Sequence, residues 1–147
     1  MQYISPTRKT KAIFIFLGLF LVLYFIKSIS FKSSDDTITH EDYASAIALI
    51  NEKLPIQLDS ETELRSVQLQ DNSIQYTYGL LTKQKLEIKV AELQKAFTKE
   101  ILKTYCANSD IMIAFRDSGY TAKYVYLDKD SQEIFSTEIT PKECNSL

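Results

Sequence analysis

The feature that most constrains this chain is an uncharged apolar run near its N-terminus. Residues 12–26 read AIFIFLGLFLVLYFI, and three basic residues precede them. A membrane-spanning helix needs roughly 20 mostly apolar residues. An extension to Phe31 supplies that length, because the long side chain of Lys27 can place its amine at the membrane interface. The run therefore predicts a segment that crosses a membrane or directs export.

Two interpretations of this run remain open. It is either an uncleaved signal-anchor helix or a cleaved signal peptide, with Ser28 and Ser30 as the small residues before the cut. Lys27 places a charge between the apolar core and that cleavage site, which favours the uncleaved signal anchor. The N-terminal flank carries more basic residues than the far side, which predicts a cytoplasmic N-terminus. The expected protein is single-pass in the inner (cytoplasmic) membrane, with its C-terminal domain periplasmic or extracellular.

The chain beyond this run is acidic. Residues 33–147 contain twelve lysines and arginines against nineteen acidic residues, a formal net charge of −7. An acidic domain repels phosphate backbones, so nucleic-acid binding is not expected. We divide the chain into a basic cytoplasmic flank (1–11), a transmembrane signal-anchor helix (12–31), a tether (32–38) and an exported domain (39–147).

Apolar spacing predicts an α+β structure for the exported domain. Thr39 and Asp42 form a capping-box pattern before a first helix, and Pro55 is expected to end it. Two strands, ELRSVQLQ and SIQYTYGL, then flank a two-residue Asp-Asn turn. A long amphipathic helix follows, because apolar residues recur every three or four positions at Leu86, Val90, Leu93, Phe97, Ile101 and Tyr105.

The remaining predicted elements are a short helix and a final hairpin. The short helix lies in NSDIMIAFRDSG, with Asn108 or Ser109 as its cap, and the hairpin pairs TAKYVYL with EIFSTEI. The element order is thus helix, two strands, helix, short helix and two strands. A four-stranded antiparallel sheet covered on one face by helices is the economical arrangement of these elements.

The two cysteines of the chain are Cys106, at the end of the long helix, and Cys144, after the last strand. Both positions can meet at one edge of a helix-covered sheet, and an exported domain occupies a compartment that permits oxidation. We therefore expect a Cys106–Cys144 disulfide that ties down the C-terminus. The alternative is two reduced, buried thiols in a cytosolic protein. Zinc is not expected, because two cysteines lack companions at ligand spacing.

Several segments resemble a family of small, uncharacterised bacterial proteins that are membrane-anchored or exported. The resemblance spans residues 51–144 and rests on NEKLPIQLDSETELRSV, YTYGL, SDIMIAFRDSGYTAKYVYLDKD and ITPKEC. The positions that carry it are Leu54, Pro55, Asp59, Thr62, Leu64, Tyr76, Tyr78, Cys106, Gly119, Tyr124, Tyr126, Asp128 and Cys144. Ser131 replaces the glycine usual in the family's final hairpin, so a tight glycine turn is less expected there. The resemblance implies an architecture and no catalytic residue.

No catalytic residue, metal site or cofactor is predicted. The single histidine, His40, stands at a helix start without a recognisable nucleophile and orienting acid. The three glycines form no phosphate-binding loop. The segment DKDSQE superficially resembles a calcium loop but lacks its glycine and distal glutamate, so a polar hairpin turn is expected.

A partner-binding surface, if there is one, is predicted on the outer face of the sheet. Gln75 and Thr77 alternate with tyrosines that are expected in the core, so these two polar side chains should point outward. Lys123 and Val125 are assigned to the same outer face. The tyrosines of that later strand, at 124 and 126, are left undecided between core and surface, because apolar residues stand on both faces.

A second candidate is the segment LPIQLDSETEL, which contains Asp59 and Thr62. These two residues could form one wall of a ligand groove. A simple turn in which the carboxylate of Asp59 accepts backbone N–H bonds is the favoured interpretation.

The predicted function is that of a membrane-anchored envelope protein whose exported domain acts as a protein interaction or accessory module. Its partners would be the membrane and another envelope protein, and an immunity-type inhibitor is one form of such a module. The alternative, from another class, is a small envelope hydrolase or ligand-binding protein. That alternative requires a deep pocket with convergent polar groups.

Overall fold

The computed structural model describes residues 39–108 and 110–146, which confirm the predicted α+β class. Their α-helices are α1 (His40–Asn51), α2 (Val90–Tyr105) and α3 (Asp110–Asp117). Their strands are β1 (Ile56–Gln57), β2 (Thr62–Gln70), β3 (Ser73–Leu80), β4 (Thr121–Leu127) and β5 (Glu133–Ile139). Short 3-10 helices cover Lys85–Glu87 and Pro141–Ser146.

The predicted transmembrane helix (12–31) and tether (32–38) lie outside the described residues. Within 39–108 and 110–146, no helix has both the length and the apolar character needed to span a bilayer.

The sheet is mixed and five-stranded, in the order β1-β2-β3-β4-β5, so the predicted four-stranded antiparallel sheet is wrong in two respects. First, β3 and β4 pair in parallel, whereas the other neighbours are antiparallel. The physical reason is that α2 and α3 carry the chain back to the end of the sheet where β3 began, as in a crossover connection. Second, the two residues of β1 add a strand that is too short to show alternation.

Helix α1 begins as its sequence predicts. The hydroxyl of Thr39 accepts a bond from the backbone N–H of Asp42, whose carboxylate accepts the N–H of Thr39 at 2.8 Å. At the other end, the Asn51 amide donates to the carbonyl of Val67 at 2.8 Å and accepts its N–H at 3.2 Å. Because these bonds satisfy both backbone groups of Val67, they fasten α1 along the edge of β2.

Helix α2 starts four residues later than the apolar spacing predicts. Leu86 lies in the preceding 3-10 turn and is 97% exposed, so it does not belong to the buried stripe. The turn departs from the helix because the carboxylate of Asp128 accepts the backbone N–H of Lys85 at 3.0 Å. This long-range bond is not visible in a local pattern.

The core lies between the helices and one face of the sheet, and aromatic rings dominate it. Tyr76 stacks on Tyr124 with a ring-centroid distance of 5.3 Å, and Tyr78 stacks on Tyr126 at 5.0 Å. All four side chains are at most 2% exposed, so the tyrosines of β4, which the sequence left undecided, are in the core. Burial raises the pKa of Tyr76, Tyr124 and Tyr126 well above the ordinary value, which keeps these phenols neutral.

Ser131, the residue that replaces the family's glycine, adopts the left-handed backbone conformation with φ of 63°. A side chain in this region costs roughly 1–2 kcal/mol relative to ordinary backbone. We expect Ser131→Gly to be more stable than Ser131→Ala by about 1 kcal/mol, because both variants lose the hydroxyl and only glycine relieves the backbone. Urea denaturation of the two variants measures the difference, and equal stabilities would contradict a left-handed residue at this position.

Candidate functional site

The four residues predicted for the outer face of the sheet are direct neighbours. In the parallel ladder, Gln75 pairs with Lys123 and Thr77 pairs with Val125. Strand alternation places them opposite the buried tyrosines, on the side away from the helices. They form the centre of a surface that we call the outer sheet face.

The flanking strands extend this surface on both sides. Ser66 and Gln68 of β2 pair with Thr77 and Gln75, and Ser136 and Glu138 of β5 pair with Val125 and Lys123. The outer sheet face thus comprises Ser66, Gln68, Gln75, Thr77, Lys123, Val125, Ser136 and Glu138. Within residues 39–108 and 110–146 the buried side chains of the helices pack with the tyrosine face instead. Val125, at its centre, is only 9% exposed, so the accessible surface of this face is mainly polar.

Arg65 lies at one end of the outer sheet face, and the sequence interpretation missed it. A register shift between Leu64 and Ser66 places Arg65 at a bulge of β2. Its Nε donates to Glu63 Oε1 at 2.8 Å, and its Nη1 donates to the hydroxyl of Ser131 at 3.0 Å. The alternation of apolar and polar residues does not predict a β-bulge, so no sequence pattern indicated the position of Arg65. Arginine is enriched where protein interfaces concentrate their binding energy.

Gly79 makes room for the Arg65 side chain. A Cβ atom at position 79 would lie 2.0 Å from Arg65 Nε, so any larger residue would displace the guanidinium. The glycine therefore lets Arg65 lie flat across β3 and reach the β4–β5 turn. The result is a charged group held in one place at the rim of the face.

The structure does not bring Asp59 and Thr62 to this surface. Asp59 accepts the backbone N–H of Glu61 at 2.6 Å, which is the turn that the sequence favoured. Thr62 pairs with Leu80 at the start of β2, two residues before the buried Leu64, and alternation therefore places it on the tyrosine side.

Cys106 and Cys144, which are 38 positions apart in sequence, are joined by a disulfide. The bridge connects the C-terminal end of α2 to the final 3-10 helix. A cavity of about 450 Å³ lies beside it, lined by Cys106, Asn108, Arg116, Asp117, Pro141, Lys142, Cys144 and Asn145. Arg116 Nη1 donates to the carbonyls of Tyr105 at 2.6 Å and Ala107 at 3.0 Å, so this side chain closes the end of α2.

In the part of the chain that the structure describes, the lining of this cavity has one carboxylate, on Asp117, and no serine, threonine or histidine. Both cysteine sulfurs are in the disulfide, so neither can act as a nucleophile. Among the described residues, no three histidine, cysteine, aspartate or glutamate side chains are grouped to hold a metal ion. The single histidine, His40, is exposed and lies 2.7 Å from the hydroxyl of Tyr120.

The DKDSQE segment is organised by Asp128, which is only 2% exposed. Its Oδ1 accepts the backbone N–H groups of Asp130 and Gln132, both at 2.9 Å, and its Oδ2 accepts that of Lys85 at 3.0 Å. These hydrogen bonds lower the pKa of the Asp128 carboxyl, and the bond from the N–H of Gln132 has the largest effect. The carboxylate therefore supports the hairpin and the turn before α2.

This lowered pKa predicts an acid-dependent loss of stability. A carboxyl with a lower pKa in the folded than in the unfolded state stabilises above the unfolded value of about 4, and the contribution disappears as the pH falls through the folded value. We expect Asp128→Asn to be less stable than the wild-type chain at pH 7 and to approach it below pH of about 4. Thermal unfolding across this range measures the gap, and a constant gap would contradict the assigned role.

The sequence profile of the family described as Domain of unknown function (DUF8479) matches residues 37–136. No curated protein sequence matches the chain.

Three solved structures are similar to this chain, two of them with a TM-score above 0.5. The pilotin of the Vibrio vulnificus type 2 secretion system has a TM-score of 0.52 at 16% identity, covering 68% of this chain and 86% of its own. A Pseudomonas aeruginosa protein, provisionally described as secreted, has a TM-score of 0.54 at 8% identity, covering 73% and 98%. The type II secretion system pilotin of Vibrio cholerae has a TM-score of 0.48 at 14% identity, covering 68% and 86%. At these identities the likeness concerns the fold alone.

Proposed function

This chain belongs to the DUF8479 family, and we propose that it is an exported accessory module that binds another envelope protein through its outer sheet face. The uncleaved helix at 12–31 holds the domain at the membrane, with the N-terminus in the cytoplasm. The observation that carries the proposal is the polar outer sheet face, on which Gln68 and Glu138 are exposed, with Arg65 fixed at its rim.

Two further observations support this assignment. The disulfide between Cys106 and Cys144 suits an oxidising compartment outside the cytoplasm. The fold is shared with a pilotin of a type 2 secretion system, which favours a component of an envelope secretion assembly as the partner. The acidic charge of the domain favours a protein rather than a nucleic acid.

The dimensions of the face restrict the shape of the partner. A seven-residue strand such as β4 is about 23 Å long, and the four strands β2 to β5 span about 15 Å between their axes. The flat projection of this face between the strand axes is therefore roughly 350 Å², long and narrow. The face therefore fits one helix or one extended segment of a partner better than a globular surface.

In-cell photocross-linking of the full chain tests this proposal. With p-benzoylphenylalanine in place of Thr77, at the centre of the face, we expect one discrete cross-linked protein. The matched control places the same group at Ser45, which is exposed on α1 in the helix layer, and should not give that product. Adding Arg65→Glu to the Thr77 probe should weaken the cross-link, because it reverses the charge at the rim.

Two results would refute the docking surface. One is the absence of any product from the Thr77 position in membranes where the chain is expressed. The other is the same set of products from positions 77 and 45, since this would show that the cross-linking is unspecific.

A further inference from the structure

Leu86 is the most exposed large apolar side chain among the described residues. It is 97% exposed, whereas the next such residues, Leu49 and Ile113, are each 38% exposed. Leu86 is the central residue of the 3-10 turn at Lys85–Glu87, immediately before α2. The Leu86 side chain is apolar and in contact with water, so burying it against another apolar group would be favourable.

The turn is held in place by bonds to the β4–β5 hairpin. Besides the bond from the Lys85 backbone to Asp128, Lys85 Nζ donates to the carbonyl of Glu133 at 2.7 Å. The Gln84 amide donates to Asp130 at 2.8 Å. Leu86 is therefore presented outward by an anchored turn and not by a loose loop.

The chain around Leu86 has the opposite charge to the rest of the domain. Residues 83–103 contain six lysines against three glutamates, a formal charge of +3. The other described residues contain six basic side chains against fourteen acidic ones, a formal charge of −8. This asymmetry creates one basic region on an acidic body.

The basic region has a defined face along α2. Lys95, Lys99 and Lys103 are exposed and follow one another at intervals of four residues, so they share one side of the helix. Ala91 and Ala96 of the same helix are also exposed. With a rise of 1.5 Å per residue, the 16 residues of α2 span about 24 Å. We call Leu86 and the exposed lysines at 85, 89, 95, 99 and 103 the basic face.

The geometry points to a bilayer containing anionic phospholipids as the occupant of this face. Basic side chains are attracted to anionic headgroups, and an adjoining apolar side chain can enter the headgroup boundary. Leu86 fills the second role and the lysines fill the first. A purely acidic protein partner would account for the lysines but leave Leu86 unexplained.

The course of the chain agrees with a domain that lies flat on its helix layer. Lys85, just before α2, contacts Asp128 just after β4. At the other end of α2, the hydroxyl of Tyr105 donates to the carbonyl of Tyr120, just before β4, at 2.6 Å. His40, at the start of α1, also contacts Tyr120. The chain therefore enters the domain near the C-terminal end of α2, and Leu86 lies at the opposite end. In this orientation the outer sheet face points away from the bilayer.

Tryptophan fluorescence tests the inference, because the chain contains no tryptophan. The full chain with Leu86→Trp is reconstituted into vesicles of phosphatidylcholine, or of phosphatidylcholine and phosphatidylglycerol in equal parts. We expect a blue-shifted emission and quenching by brominated acyl chains in the mixed vesicles. Both effects should decrease in phosphatidylcholine alone and at high salt, where charge interactions are screened.

Matched charge reversals locate the contact. Lys99→Glu, on the basic face, should remove most of the blue shift, whereas Lys123→Glu, on the outer sheet face, should leave it unchanged. Emission that stays at its aqueous value in both vesicle types would overturn the inference. A shift of equal size in both vesicle types that grows with protein density would also overturn it, because a second copy of the chain would then cover Leu86.

Discussion

Replacing Cys106 and Cys144 together with alanine is expected to lower the free energy of unfolding by about 4 kcal/mol. The bridge joins residues separated by 38 positions, and a cross-link over this span removes a large part of the freedom of the unfolded chain. It also holds the last 3-10 helix against the end of α2. Urea denaturation monitored by circular dichroism measures the loss.

Reduction of the wild-type protein is the control for this prediction. It should give the same loss of stability as the double substitution, and each single substitution should match the double, because any of them opens the bridge. A loss below about 1 kcal/mol would contradict a stabilising role for the disulfide.

Tyr124→Ala is expected to destabilise the domain by about 3–5 kcal/mol, the range for removal of a large aromatic ring from a packed core. Tyr124 is 1% exposed, and its ring stacks on those of Tyr76 at 5.3 Å and Tyr78 at 6.4 Å. Truncation leaves a cavity beneath the helices that these neighbours cannot fill without breaking their own contacts.

The adjacent residue provides the matched control. Lys123 lies on the outer sheet face, so Lys123→Ala should change stability by no more than about 0.5 kcal/mol. Parallel denaturation curves of the two variants test which face of β4 is buried. Equal effects at positions 123 and 124 would contradict the assignment of the helices to the tyrosine side.

Local patterns were sufficient to predict most of the elements. The capping box at Thr39 and Asp42 depends on residues three apart, and the strand that contains Tyr76 and Tyr78 shows strict alternation. Such signals need no knowledge of distant contacts. The same alternation predicted that Gln75 and Thr77 point away from the core.

Apart from the short strand β1, the errors concern interactions between distant parts of the chain. Whether β4 pairs parallel or antiparallel to β3 depends on how α2 and α3 route the chain between them, which periodicity does not encode. The position of Leu86 depends on Asp128, more than forty residues away. The spacing of Leu86 fits α2, but the bond from Lys85 to Asp128 places Leu86 in the preceding 3-10 turn.

The residues of the candidate site also differ in whether a local pattern predicts them. The sequence assigned Lys123 and Val125 to the same outer face as Gln75 and Thr77, but that they are direct neighbours follows from the parallel pairing of β3 and β4, which was not predicted. Arg65 escaped notice because its position depends on a bulge in β2 and on the space that Gly79 leaves. Neither feature has a local sequence signature.

The location of the domain is tested most directly by two reporters fused after Leu147 of the full chain. One is a phosphatase that becomes active only outside the cytoplasm, and the other is a fluorescent protein that matures only inside it. Our account predicts an active phosphatase and no fluorescence. Fluorescent cells with an inactive phosphatase would contradict export of the domain, and with it the proposed envelope partner.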